Sequence, residues 1–173
     1  MEEEKNYPKI NSVKVIIENQ NAEILLVQEP ESDEWMPLHW GLPGGRPKLR
    51  ESLRDALKRT LLEEIGIEID PLGIYKVEEL LHQDRTVLMF IAVAKIYEEI
   101  ELKGRVNAYR WVNAWDLEKM DTSEFTAFYA KKLILDYLSG NREFIDFSLI
   151  ETQNYYDLQN DPEYKKWSDS GVT

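Results

Sequence analysis

The feature that most constrains this chain is a glycine-rich turn followed closely by a capped helix. Trp40-Gly41-Leu42-Pro43-Gly44-Gly45 is the strongest turn signal in the sequence. A helix is predicted over residues 52–65. Ser52 and Asp55 form a capping-box-like start, with Asp in place of the usual Glu or Gln. Gly66 stands where a left-handed C-cap belongs. The flanking segments read as strands: 13–17 and 23–28 around a polar turn, then 74–81 and 86–96 around His82-Gln83-Asp84-Arg85. Residues 87–93 are nearly all apolar, as expected of a central strand covered on both faces. Residues 109–112 read as a short strand. A second long helix is predicted over 123–139, with Ser123 as cap and Gly140 as stop. Strands on both sides of a central helix, closed by a terminal helix, predict an α/β (α+β) fold: a mixed sheet with helices on both faces.

The chain has 173 residues, enough for one domain and a tail. The domain is expected over 1–140, with an acidic, Tyr-rich extension over 141–173. Phe144, Phe147, Tyr155, Tyr156, Tyr164 and Trp167 give that extension apolar handles for packing on the domain or on a second copy in a homodimer. Cysteine is absent, which excludes disulfides, thiolate zinc sites and cysteine nucleophiles. His39 and His82 are too few for a histidine cage. A net charge of −12 argues against general nucleic-acid binding, though not against a small phosphate ester at a local basic site. The acidic N-terminus does not read as a secretory signal, and no run approaches membrane-spanning length. No membrane association and a cytoplasmic setting are therefore expected.

On a helical wheel, Leu57, Leu61, Leu62 and Ile65 span an apolar arc, while Ala56, Thr60, Glu63 and Glu64 cluster on another. Leu53, Arg54 and Lys58 blur the division in the first turns. Glu63 and Glu64 follow Thr60 by three and four residues, so the three side chains point roughly one way. Two carboxylates beside a Gly-Gly turn suit a hard cation such as Mg²⁺, which takes oxygen ligands and shares itself with substrate phosphates. A bare Glu-Glu pair is usually a solvated helix end. Here Arg59 lies four residues before Glu63 and eight after Glu51, where it can orient both carboxylates.

Basic residues crowd this region as well. Arg46, Lys48, Arg50, Arg54, Lys58 and Arg59 are six of the 21 Lys and Arg. Arg54 is expected to pair with Glu51, and Lys58 with Asp55, as ordinary helix partners. Arg46 and Lys48 precede the helix and are better placed for phosphate. Trp35 is a candidate for stacking on a base; Trp40 is expected to pack under the turn, and His82 to be a turn residue.

These residues resemble the Nudix box, G-x5-E-x7-R-E-U-x-E-E-x-G-U, where U is aliphatic. Gly45, Glu51, Arg59, Leu61, Glu63, Glu64, Gly66 and Ile67 occupy its positions, and the Trp40–Gly45 lead-in is also similar. The resemblance extends over about residues 13–138. It implies an α/β/α sandwich and Mg²⁺- or Mn²⁺-dependent hydrolysis of a nucleoside diphosphate linked to another group. It also implies metal ligation by Glu63, Glu64 and the Gly45 carbonyl, with Glu51 and Arg59 as the bracing pair. Two positions depart from the family. Thr60 replaces a glutamate that ligates metal or helps activate water. Residues 104–110 carry no acid where many members have one, leaving Glu101, Glu98, Glu99, Asp84 and Glu124 as substitutes. The alternative is therefore a Nudix-fold module that binds a nucleotide or protein with impaired catalysis.

Overall fold

The computed structural model describes residues 8–152 and 160–169. Tyr155 and Tyr156 lie outside the described residues, as does the side chain of Trp167. Strand β1 (Lys9–Glu18) turns at Asn19, whose Oδ1 accepts from the backbone N–H of Asn21 and Glu23, and returns as β2 (Ile24–Gln28). The two strands pair only at Glu18↔Ile24 and then diverge. The glycine-rich segment fills the opening: β3 (Trp40–Gly41) pairs with β2, and β4 (Gly44–Gly45) pairs with β1.

The other edge of β1 runs parallel to β6 (Thr86–Lys95) along its whole length. β5 (Gly73–Leu81) is antiparallel to β6, and β7 (Ala108–Val112) is antiparallel to β2. A last short strand, β8 (Ile145–Asp146), pairs with the outer edge of β5. The sheet is mixed and eight-stranded, in the order β3-β2-β1-β6-β5-β8, with β4 on β1 and β7 on β2.

Strand alternation divides the core between the two faces. Val13, Val15, Ile17, Leu25 and Val27 meet α1 (Leu53–Ile65) on one face. Ile16, Ile24 and Leu26 meet α2 (Ala114–Lys119) and α3 (Ala130–Leu138) on the other. The result is an α/β/α sandwich. A short helix, α4 (Pro162–Ser168), follows at the C-terminal end. Beyond Gly140 the chain returns to the sheet, where Phe147 is buried in the α1-side core. Arg142 pairs there with the buried Glu18 carboxylate, which also accepts from the Tyr137 hydroxyl.

Four expectations need correction. The helix expected over 123–139 is broken: a 3-10 turn (Thr122–Glu124) capped by Asp121 precedes α3, and Ser123 caps nothing of α3. Buried Phe125 and the bond from Thr126 N–H to the Trp40 carbonyl (2.8 Å) hold the intervening residues against the sheet edge. Helix α2 adds an element that the hydrophobic pattern does not mark; its signal is the capping box of Asn113 and Asp116. Strand β6 is fully covered only from Ile91 to Ala94, because its first half borders an open cleft. Finally, Arg54 and Lys58 both pair with Asp70, beyond the helix, rather than with Glu51 and Asp55.

Candidate active site

Helix α1 begins and ends where its caps place it. The Ser52 hydroxyl accepts from the Asp55 N–H, and Gly66 adopts φ +71° with its N–H on the Leu62 carbonyl. The buried stripe is Ala56, Leu57, Thr60, Leu61 and Ile65. Leu62, expected on the apolar arc, is exposed. The helix is thus rotated so that the short Thr60 is buried against the sheet, while the longer Glu63 and Glu64 side chains on either side of it extend toward Arg59 and the Gly-Gly turn.

The cause is the approach of α1 to β4. A Cβ on Gly45 would lie 2.7 Å from Thr60 Cγ2, so glycine and a short side chain share one space. Gly44 is equally confined: its φ is +135°, and a Cβ there would lie 2.3 Å from the Val13 carbonyl oxygen. The Thr60 hydroxyl bonds to its own helix, at 2.8 Å from the Ala56 carbonyl and 3.1 Å from that of Leu57. Its proton is therefore taken up by the helix backbone.

Arg59 organises the acidic residues. Its guanidinium grips Glu51 with two bonds of 2.6 and 2.8 Å, and reaches Glu63 at 3.2 Å and the Arg46 carbonyl at 3.1 Å. That grip, helped by the Lys48 N–H, lowers the Glu51 carboxyl to about 2. Lys48 thus contributes its backbone here. Glu64 accepts from the Gly44 N–H at 3.1 Å. Burial raises its carboxyl above the ordinary range, and the Glu29 charge adds to the rise; Lys14, the Gly44 N–H and Arg105 oppose it.

Lys14, Glu29 and Arg105 escaped sequence reasoning. Lys14 leaves a signal, as a charge within an apolar strand, and its ammonium lies 3.4 Å from the Gly44 carbonyl. Glu29 and Lys14 line a hollow of about 200 Å³ with Leu42, Met89 and Tyr129. Arg105 reaches Glu63 across a separation of 42 residues and leaves no local signal.

The hollow adjoins a larger cleft of about 630 Å³, and Met89 and Tyr129 line both. Ile10, Val87, Met89 and Phe128 give the cleft apolar walls, and Arg46 lies on its border. His82 also lines it, from the β5–β6 turn. Trp35 is 76% exposed outside this lining, with the Arg85 guanidinium 5.9 Å from its ring centre. Of the substitute acids, Glu101 pairs with Lys103, Asp84 with Arg85, and Glu124 bonds the Asp121 N–H. Glu98 bonds the Tyr97 N–H.

The donor set beside the Gly-Gly turn consists of carboxylate and carbonyl oxygens. Such donors fit a hard divalent cation that keeps much of its water. A half-buried carboxylate whose charged form is disfavoured by desolvation, as Glu64 is, gains from a bound cation. Among the described residues, no three acidic or imidazole side chains converge as a ready-made cage. A site built on Glu63, Glu64 and a backbone carbonyl therefore relies on water and substrate oxygens to complete the shell.

The NUDIX domain profile matches residues 8–132. The chain belongs to the NUDIX family. Among curated NUDIX relatives, an 8-oxo-dGTP diphosphatase of Buchnera aphidicola is 27% identical over 82 residues, covering 47% of this chain and 66% of that protein. An 8-oxo-dGDP phosphatase of Danio rerio is 37% identical over 67 residues, covering 39% and 20%. The chain thus matches less than two thirds of the length of each. The fold matches a MutT protein of Methanosarcina mazei Go1, with TM-score 0.68, 24% identity, and 80% and 99% of the two chains covered. It also matches a NUDIX hydrolase of Nitrosomonas europaea, with TM-score 0.70, 18% identity and coverage of 84% and 98%. No helix among the described residues is long and apolar enough to cross a membrane.

Proposed function

We propose that this chain is a Mg²⁺- or Mn²⁺-dependent hydrolase that cleaves the pyrophosphate link of a nucleoside diphosphate derivative. The observation that carries this reading is one continuous arrangement: Glu51–Arg59–Glu63 braced on one side, Glu64 held under Gly44 on the other, and a cleft with apolar walls bordered by Arg46. Glu63, Glu64 and the Gly45 carbonyl are the proposed metal ligands. Held by these residues, such an ion would supply Lewis-acid chemistry toward phosphate and a more acidic water. Arg59 fixes the direction of Glu63 while Glu51 takes up its remaining charge. Arg46 and Lys14 offer positive charge to phosphate, and the apolar walls of the cleft offer a surface for the base. Thr60 serves packing, and Glu29, close enough to act on the Glu64 charge, is the proposed proton acceptor. The named relatives make oxidised purine nucleotides the first substrates to examine.

A nucleotide-binding module with impaired catalysis is the second reading. It is favoured by the Thr60 hydroxyl bonded to its own helix and by the acid-free loop at residues 104–110. A panel of 8-oxo-dGTP, 8-oxo-dGDP, dGTP, ADP-ribose and a dinucleoside polyphosphate, with Mg²⁺ or Mn²⁺, separates the two. Metal-dependent phosphate or pyrophosphate release lost in Glu64→Gln supports the hydrolase. Nucleotide binding without turnover across the panel supports the module.

A further inference from the structure

Glu63 is shared by two guanidinium groups with different ties. Arg59 is anchored elsewhere by its two bonds to Glu51 and its bond to the Arg46 carbonyl. Among the described residues Arg105 donates a hydrogen bond to Glu63 and its charge also reaches Glu64; its side chain is 58% exposed. The loop that carries it is clamped on both sides. Upstream, the Glu101 and Lys103 N–H groups bond the Ile65 and Glu64 carbonyls, at 3.0 and 3.3 Å. Downstream, Asn107 bonds Gln28 through its backbone N–H at 2.8 Å and its side chain at 2.6 Å. Between the clamps, Val106 is buried, whereas Gly104 has φ +83° and open space around it. The loop is thus held on both sides of Arg105, whose exposed side chain has no hydrogen-bond partner among the described residues other than Glu63.

Arg59 and Arg105 both donate to Glu63 Oε2, so a cation that takes this carboxylate through that oxygen competes with them, and Arg105 is the one with fewer other ties. Released from Glu63, Arg105 would lose its hydrogen-bonded carboxylate, and phosphate is the anion that a substrate would bring within its reach. Guanidinium suits phosphate in charge and in fork geometry. We infer that Arg105 is a further phosphate-facing cation of this site, in addition to Arg46 and Lys14, held on Glu63 until a divalent metal displaces it. The inference rests on the metal-dependent reading above. The loop that lacks an acid then serves to position the phosphate chain.

The test uses the full chain and two probes: Mn²⁺ alone, followed by electron paramagnetic resonance, and inorganic pyrophosphate binding to the Mn²⁺-loaded protein by calorimetry. Removal of a competitor in Arg105→Ala should tighten Mn²⁺ binding about threefold to fivefold, the upper part of the range of an exposed ion pair. The same change should weaken pyrophosphate binding about tenfold, the scale of one charged hydrogen bond. Arg105→Lys should lie between wild type and Arg105→Ala on both measures. These opposite signs are diagnostic, since a merely structural role would weaken both. Unchanged or weaker Mn²⁺ binding, or unchanged pyrophosphate binding, in Arg105→Ala overturns the inference while leaving the hydrolase reading in place. Absence of Mn²⁺ binding in wild type and Arg105→Ala alike overturns both readings.

Discussion

Replacing Arg59 by alanine tests whether the acidic residues are held in place by one guanidinium. The change removes two bonds to Glu51 and one each to Glu63 and the Arg46 carbonyl. Glu51, at 14% side-chain exposure in the intact protein, is left with the Lys48 N–H and the more distant Lys48 charge to oppose its own. Lowering its carboxyl from 4.5 to about 2 corresponds to about 3 kcal/mol at neutral pH as a ceiling. Residual solvent screening reduces this to about 2 kcal/mol. For a chain of this size, about 2 kcal/mol lowers Tm by about 4–8 °C. The neighbouring Lys58→Ala loses one exposed pair to Asp70, which Arg54 still holds, and should cost less than about 0.5 kcal/mol. The pH dependence has a definite sign. A depressed carboxyl contributes its stability above the unfolded value of 4.5 and loses it as the pH falls toward about 2. The gap between wild type and Arg59→Ala should therefore be full at pH 7 and shrink below about pH 4.5. Thermal unfolding of the three proteins from pH 7 to pH 3 measures this. Equal Tm losses in Arg59→Ala and Lys58→Ala, or a gap that does not change with pH, would refute the bracing argument.

Glu64→Gln should lower Mn²⁺ affinity at least about tenfold, the scale of one lost carboxylate ligand, while leaving metal-free stability at pH 7 unchanged or higher. The second half follows because burial disfavours the Glu64 charge, and the amide removes that cost; equal Mn²⁺ affinity would remove Glu64 from the metal site. Thr60→Val should keep metal affinity and turnover, since the hydroxyl bonds its own helix, and a tenfold or greater fall in kcat, about 1.4 kcal/mol, would show that the hydroxyl takes part in the chemistry. Phe147→Ala should destabilise the protein by about 3–5 kcal/mol in denaturant unfolding, as a large residue lost from a core. A loss under about 1 kcal/mol would mean that residues beyond Gly140 dock only superficially.

The parts of this protein legible in the sequence are those governed by near neighbours. Ser52 and Gly66 bound α1 because a cap is a contact between residues three or four apart. The alternation and apolar runs of β1, β2, β5 and β6 mark the sheet, and the spacing of Glu51, Arg59 and Glu63 places them on one side of one helix. Tertiary packing decided the rest. The wheel could not choose the rotation of α1, because a threonine is as compatible with a core as with a site; the close approach of Gly45 turned it inward. It could not foresee the break before α3, which the burial of Phe125 and the Thr126–Trp40 bond impose. Nor could it send Arg54 to Asp70, Arg105 to Glu63, or Lys14 and Glu29 to the neighbourhood of Glu64. Those partners meet through loops and sheet pairings whose register is set by the whole core, and a long charged side chain joins whichever opposite charge the finished fold brings within reach.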